Sequence, residues 1–392
     1  MRRLKKILIV RSSPYEENLN SYNVQGVGLA RAFCNMGYDC DYLTFTKKKT
    51  GEIIICNNGE NIARVIYKKW KRFFRTGYCR EILNESVLKQ YDYIISREYN
   101  QIMTYCLSKK HDNVIMYSGP YWNMFMIPIM SFFYDRIFVK KMNKRLKYKF
   151  VKSKKAVTFL ENKGMTNLVD VGVGLDVAKF DTTEKDDNVI ALEKFMKNND
   201  CILYIGDLND NKNLPFLLEV FKKIKQVRTN VKLVLIGKSQ QTLFNKILGK
   251  KNESYVEEIF GELSENIKRD ILWEQYVPNA QLRYIYPKAK VFLLPSKKEI
   301  FGMVMLEAMY FGCPVISSDN GGSSTLIKSN EYGKKIDTFD VDKWVMAICQ
   351  YLDEPAYTDE VTKKAKKNIE HNYTWDSIAK NMLSYIESDW RN

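Results

Sequence analysis

The sequence predicts an α/β protein made of two doubly wound domains, and three observations carry that expectation. A chain of 392 residues, 45% of them hydrophobic, is too long for one ordinary core and long enough for two. Apolar runs of strand type alternate with segments of helical period, and this series starts twice, at Lys6 and again at Cys201. Between the two series, near residues 177 to 200, the stretch Asp181 to Asp187 is polar and acidic, as a connector is. The expected bounds are 1–177 for the first domain, 190–375 for the second and 376–392 for a closing helix.

The elements follow in chain order. Lys6 to Arg11 reads as a buried parallel strand, and Ser12 to Tyr22, with Pro14, as a polar loop. Val24 to Asn35 has helical spacing of Val24, Val27, Ala30 and Phe33, and Gly37 stops it. Cys40 to Phe45 is the returning strand, which completes a βαβ unit. Further strands are expected at Ile53–Cys56, Tyr91–Ser96, Val114–Tyr117, Val157–Leu160 and Leu168–Val171. In the second half, Cys201 to Gly206 and Val231 to Gly237 are strands around a helix at Leu217 to Val227. Val291 to Ser296 is another strand, and Thr374 is placed to cap a final helix. Two such domains facing each other would put a ligand cleft between the carboxyl ends of their strands.

Composition narrows the class. No apolar run has the length of a membrane span; Met124 to Tyr134, the best, is short and holds Pro128. Met1 to Val10 reads as a first strand rather than a signal peptide. Eight scattered cysteines without Cys-x-x-Cys, and only His111 and His371, argue against a zinc site or disulfide frame and fit a reducing cytoplasm. The net charge of +16 is uneven: residues 1–176 hold 31 Lys and Arg against 15 Asp and Glu, so the rest is neutral. A basic half can meet nucleic acid or an anionic membrane, and no nucleic-acid motif accompanies it. Asp39-x-Asp41 and Asp340-x-Asp342 have a metal-binding spacing, but one runs into a strand and the other precedes a helix, so both are read as incidental.

The chemistry is concentrated in Lys298-Glu299-Ile300-Phe301-Gly302-Met303-Val304-Met305-Leu306-Glu307-Ala308-Met309, directly after the strand at Val291. Strand, glycine turn and helix make an anion cradle, because the helix start offers unpaired N–H groups and its positive dipole end. A carboxylate stands on each side of that cradle, eight residues apart. Carboxylates repel phosphate, so Glu299 and Glu307 need hydroxyl partners, and a nucleotide sugar provides both hydroxyls and phosphates. The motif resembles the Glu-x-Phe-Gly…Glu-Ala signature of the retaining GT-B glycosyltransferases of the large family numbered four. Phe311-Gly312-Cys313-Pro314-Val315-Ile316-Ser317 and Asn320-Gly321-Gly322 follow in the order that family has.

That resemblance implies a GT-B fold of two Rossmann-like domains facing a cleft, with a last helix returning to the first. It implies a metal-free reaction with a UDP- or GDP-sugar as donor substrate and no cofactor. Glu299 would contact sugar hydroxyls and stabilise charge at the anomeric carbon. The N–H groups of Phe301, Gly302, Met303 and Val304 would face sugar and phosphate, and Glu307 the ribose. Gly206 to Asn213 resembles the family's Gly-Arg-Leu…Lys loop, so Lys212 would clasp the diphosphate, with Gly206 and Gly237 at the strand ends. Asp207 stands where Arg is usual; either it points away or another base, Lys238 or Arg283, substitutes. On the acceptor side the resemblance points to Gly26, Ser118 and Gly119. The His that many members carry in this stretch is absent, so the acceptor base is unassigned. Val173-Gly174-Leu175-Asp176 with Phe180 resembles the family's hinge, without its Asn.

The expected function is sugar transfer to a glycan or polyprenyl-linked acceptor in surface polysaccharide or glycoconjugate synthesis. It would take place in the cytoplasm, at the inner face of an anionic membrane, with no nucleic-acid partner. The membrane contact is expected where Phe125, Met126, Ile127, Ile129, Phe132, Phe133 and Phe138 precede the basic run Lys140 to Lys149. An ordinary interior helix followed by a solvated basic one would give the same pattern. Two other readings are a non-catalytic glycosyltransferase-like subunit, favoured by Asp207 and the missing His, and a nucleotide-sugar epimerase of GT-B frame, opposed by the Glu-x-Phe-Gly series.

Overall fold

The computed structural model describes residues 5–13, 15–19, 24–48, 50–73, 76–125, 127–239 and 255–388. Pro14, Met126 and the end of the closing helix beyond residue 388 lie outside them. The chain forms two compact units, Met1–Leu175 with Asn372–Asn392, and Asp176–His371.

The first unit is built on strands β1 (Lys5–Val10), β2 (Tyr38–Phe45), β3 (Gly51–Asn57) and β4 (Ile62–Lys68). It continues with β5 (Lys71–Phe73), β6 (Thr76–Tyr78), β7 (Tyr93–Arg97), β8 (Val114–Ser118), β9 (Tyr148–Val151) and β10 (Leu168–Asp170). Its main sheet has the order β10-β9-β8-β7-β1-β2-β4-β3, and β5 and β6 form a separate ribbon. Every neighbour pair of the main sheet is parallel except β3 with β4. Parallel strands are covered on both faces, which is why Ile7, Leu8, Ile9 and Val10 form an unbroken apolar run and are all fully buried. The central helix is Gln25–Asn35.

The second unit carries β11 (Asp200–Ile205), β12 (Val231–Ile236), β13 (Ile271–Glu274), β14 (Val291–Leu294), β15 (Val315–Ser318) and β16 (Lys334–Ile336). All pairs are parallel, in the order β13-β12-β11-β14-β15-β16. The helix Leu214–Val227 covers one face with Leu217, Leu218, Phe221 and Ile224, as its spacing predicts.

Several expectations are corrected. Val157–Leu160 is not a strand: it lies in the helix Lys154–Glu161, started by Ser153, whose hydroxyl accepts from Ala156 N–H at 3.2 Å. The strand before it is β9, hidden in the basic run, and there Lys149 is 4% exposed with its ammonium on Leu146 O at 3.0 Å. Unit boundaries move as well. Asp176 to Phe180 belongs to the second unit, where Phe180 packs edge-on against Phe311 at 5.0 Å. The chain rejoins the first unit at Asn372 rather than 376, because Leu175 pairs with Thr374 beside the start of the last helix. That helix, Trp375–Ser388, lies on the first unit: the Trp375 ring fills the space above Gly28, where a Cβ would come within 2.2 Å of it. Gly28 is therefore accounted for by packing against the last helix.

The paired aspartates have structural roles. Asp41 is 2% exposed and accepts from Arg64 Nε at 2.7 Å, Lys6 Nζ at 3.0 Å and Tyr91 Oη at 2.6 Å. Asp340 caps the helix Val341–Asp353 by accepting from Asp342 and Lys343 N–H. All eight cysteines are free thiols. Among the described residues, no helix is long and apolar enough to cross a membrane, and no group of His, Cys, Asp or Glu side chains could hold a metal ion.

Candidate functional site

In the second sheet the strand order reverses between β11 and β14. Loops leaving the carboxyl ends of two such neighbours diverge, which makes the reversal the usual ligand position of an open α/β sheet. The two loops here are Gly206–Asn213 and Ser296–Gly302, the segments singled out from sequence.

They are tied together across 87 positions of sequence. Asn211 Nδ2 donates to Lys298 O at 2.8 Å, and Lys297 N–H donates back to Asn211 O at 2.8 Å. Lys212 Nζ donates to Glu299 Oε2, the two side chains being 20% and 18% exposed. Lys212 sits in a short turn, Asp210–Lys212, which Asn209 caps through its side-chain oxygen on Lys212 N–H at 3.1 Å. Asn213 follows in the left-handed region at φ 59°, a conformation Asn tolerates, and turns the chain into the helix Leu214–Val227. Three asparagines thus shape the turn that presents the lysine.

Glu299 is held from the other side by the helix Gly321–Leu326. Gly321 N–H donates to Glu299 O at 3.0 Å. A Cβ on Gly321 or Gly322 would lie 2.0 Å from Ile300 O or 1.6 Å from Phe301 O, so only glycine allows this approach. The Gly-Gly pair is thus a helix start clamping the Glu299 loop. Gly302 enters the helix Met303–Tyr310 at φ 71°. The first N–H groups of that helix, those of Met303 and Val304, have no partner within it, which leaves donors at the helix start that follows the Glu299 loop.

Glu307 lies deeper than Glu299. It is 2% exposed, and Tyr286 Oη donates to its Oε2 at 2.9 Å. A contact with ribose would have to be made by an almost covered carboxylate that Tyr286 orients. Asp207 is exposed at the end of β11, and its carbonyl accepts from Tyr204 Oη at 3.0 Å. Of the two candidate substitute bases, Arg283 turns to the connector, its Nη1 donating to Phe180 O at 2.8 Å. Lys238 is exposed next to Gly237, on the neighbouring strand end. Gly237 itself is needed for close approach: a Cβ there would meet Gly206 O at 1.9 Å.

The first sheet reverses between β1 and β7, and a charged cluster missed by sequence reading occupies the strand ends there. Glu98 follows β7 in the left-handed region, at φ 69°. It accepts from Lys152 Nζ at 2.8 Å, Gly119 N–H at 2.8 Å and Ser118 Oγ at 3.3 Å. Burial alone would raise the Glu98 carboxyl; the charges of Lys152 and Arg97 and these bonds outweigh it and hold it below the ordinary value. Arg97 reaches Gln25 Oε1 at 3.1 Å, and Tyr42 Oη donates to Glu17. Ser118 and Gly119 are therefore partners of Glu98. Gly26 is buried against Tyr42, whose ring would lie 2.2 Å from a Cβ there. The signal that could have exposed the cluster is Arg97-Glu98 directly after an apolar strand.

The family model of the glycosyl transferases group 1 matches residues 186–370, nearly all of the second unit. The second unit is a glycosyl transferases group 1 domain. Over 183 residues the chain is 28% identical to an uncharacterized glycosyltransferase of Methanocaldococcus jannaschii, covering 47% of this chain and 43% of that protein. Over 197 residues it is 26% identical to sucrose synthase 1 of Zea mays, covering 48% of this chain and 24% of that enzyme. The chain thus spans less than half the length of these curated relatives. Among solved structures, Anabaena HepE in complex with UDP superposes with a TM-score of 0.70 at 12% identity, covering 98% of this chain and 100% of HepE. The same protein is also solved with UDP-glucose. That similarity gives the whole chain the GT-B fold. The group 1 domain contains Lys212, Glu299 and Glu307, while the first unit lies outside the family match.

Proposed function

We propose that this protein is a glycosyltransferase that takes a sugar from a nucleotide-diphosphate donor, UDP-glucose-like in the manner of the HepE complexes, without a metal and with retention at the anomeric carbon. The observation that carries the reading is the Lys212–Glu299 pair at the strand-order reversal, beside the open helix start at Met303. In this reading Lys212 and the N–H groups of Gly302, Met303 and Val304 neutralise the departing diphosphate. Glu299 takes sugar hydroxyls and stabilises the positive charge that develops on the anomeric carbon. Glu307, oriented by Tyr286, takes the ribose. The basic first unit takes a glycan or lipid-linked acceptor, as in surface polysaccharide or glycoconjugate synthesis, with the protein resting on an anionic membrane from the cytoplasmic side.

The segment expected to meet that membrane supports this part. Ile127, Ile129, Phe132, Phe133 and Ile137 are 44–58% exposed, and Lys140, Lys141, Lys144 and Arg145 follow them, also exposed. An interior helix would bury those rings. Exposed Asp207, where an arginine would serve a diphosphate, favours the second reading, a non-catalytic subunit that assists another enzyme. Donor turnover separates the two. Incubation with UDP- and GDP-sugars, in the absence of acceptor, is expected to release nucleoside diphosphate slowly with one donor. No release and no thermal shift with any donor would refute the transferase reading.

A further inference from the structure

The first unit contains a cavity of about 740 Å³, within the range of small-molecule sites. Its walls come from the segments that leave the carboxyl ends of β1, β7 and β8: Tyr15 after the first, Asn100 and Ile102 after the second, Phe125 after the third. This is the side of the sheet where α/β folds bind ligands. The lining is hydrocarbon and aromatic, with Ile102, Phe125, Phe133, Ile137 and Phe138 prominent. The helix Pro128–Tyr134, which supplies Phe133, passes into a π-helical turn at Asp135–Val139, which supplies Ile137 and Phe138. Such wide turns recur at functional sites.

Two features distinguish this cavity from a packing defect. Its polar members are few, and two of them are unsatisfied: Thr76 Oγ1, on a residue 8% exposed, and Asn100 Oδ1 have no hydrogen-bond partner among the described residues. Buried polar atoms without partners are costly and call for one. Arg72 is also in the wall, its guanidinium 5.5 Å from the Tyr15 ring centre. Residues 1–176, which contain the whole lining, carry 31 Lys and Arg against 15 Asp and Glu.

We propose that this cavity binds the hydrocarbon chain of a lipid phosphate, the chain lying among Phe125, Phe133, Ile137 and Phe138 and the phosphate held by the exposed Arg72. It deepens the acceptor part of the proposed function, naming a single-chain lipid phosphate as the acceptor's anchor. The exposed rings of Phe132 and Phe133, 58% and 54% exposed, would let such a chain pass from a bilayer into the protein without crossing water.

The test is calorimetric titration of the full chain with hexyl, octyl, decyl and dodecyl phosphate, each below its micelle concentration. Affinity is expected to rise about fourfold per methylene until the cavity is full. Phe133→Glu and Ile137→Glu, at side chains about half exposed, should weaken dodecyl phosphate at least tenfold and leave thermal unfolding unchanged. Arg72→Gln should weaken dodecyl phosphate and leave uncharged dodecyl maltoside unaffected. Equal affinity across chain lengths, or wild-type binding by both Glu variants, would overturn the proposal by marking adsorption elsewhere. Parallel titrations with UDP and GDP keep the outcomes distinct. Binding of either nucleotide without chain binding sinks the lipid site alone. Chain binding without binding of either nucleotide sinks the donor reading alone.

Discussion

Lys212→Ala is the sharpest test of the donor site. In the ligand-free protein the Lys212 ammonium is paired with Glu299, both about four-fifths buried. A diphosphate would compete with Glu299 for the ammonium, so part of the interaction is exchanged rather than gained. Charge-assisted hydrogen bonds contribute about 1.5–3 kcal/mol, and the exchange with Glu299 brings the expected net loss to about 1–3 kcal/mol. That is a rise of about 5- to 150-fold in Kd. The companion variant discriminates further. Glu299→Gln removes the competing anion and its repulsion of phosphate, so UDP should bind as tightly as before or about 0.5–1 kcal/mol more tightly, the scale of a partly exposed ion pair. Both are read by calorimetry with UDP, with thermal unfolding matched to wild type. Unchanged affinity in Lys212→Ala refutes the clasp. Equal weakening in both variants would mean that the pair only holds the two loops in place.

Three other outcomes follow from the same geometry. In a turnover assay Glu299→Gln should lower kcat by about 10²-fold with little effect on donor KM, because its stabilisation grows in the transition state; Glu307→Gln and Tyr286→Phe should act mainly on KM, and wild-type turnover in all three would refute this assignment of the site. Asp41→Asn should cost about 1.5–3 kcal/mol in urea unfolding, since Lys6 and Arg64 lose a charged acceptor but stay partly exposed, at 22% and 33%. Burial would raise the Asp41 carboxyl, but bonds from Arg64, Tyr91 and Lys6 hold it below its ordinary value. Its contribution is therefore complete above the unfolded value of about 3.9 and is lost as pH falls through the lower folded value, a loss the Asn variant should not show. Finally, sedimentation with vesicles should require anionic lipid, weaken with salt, and fall when Lys140, Lys141, Lys144 and Arg145 become Gln; binding to neutral vesicles at equal strength would contradict it.

What the sequence determined alone was whatever depends on local order. A parallel strand buried on both faces must be apolar throughout, so β1, β11, β12 and β14 were visible as runs. The Glu299–Glu307 segment was visible because a strand, a glycine turn and a helix stand in immediate succession. The strands missed, β4, β9, β13, β16 and the β5–β6 ribbon, are short, carry charged residues or sit in the basic run, where Lys149 looks solvated and is buried. Val157–Leu160 misled because β-branched and aromatic residues in a short run suit either element until the Ser153 cap is seen. Only the tertiary structure decided what meets across distance. It paired Lys212 with Glu299, covered Glu307 with Tyr286, turned Arg283 toward the connector, and gathered Glu98, Lys152 and Gly119 at one strand end. It also opened an apolar cavity from residues as far apart as Tyr15 and Phe138. Each of these depends on which strands become neighbours where the sheet order reverses, and adjacency in a parallel sheet is set by crossovers that sequence spacing does not encode.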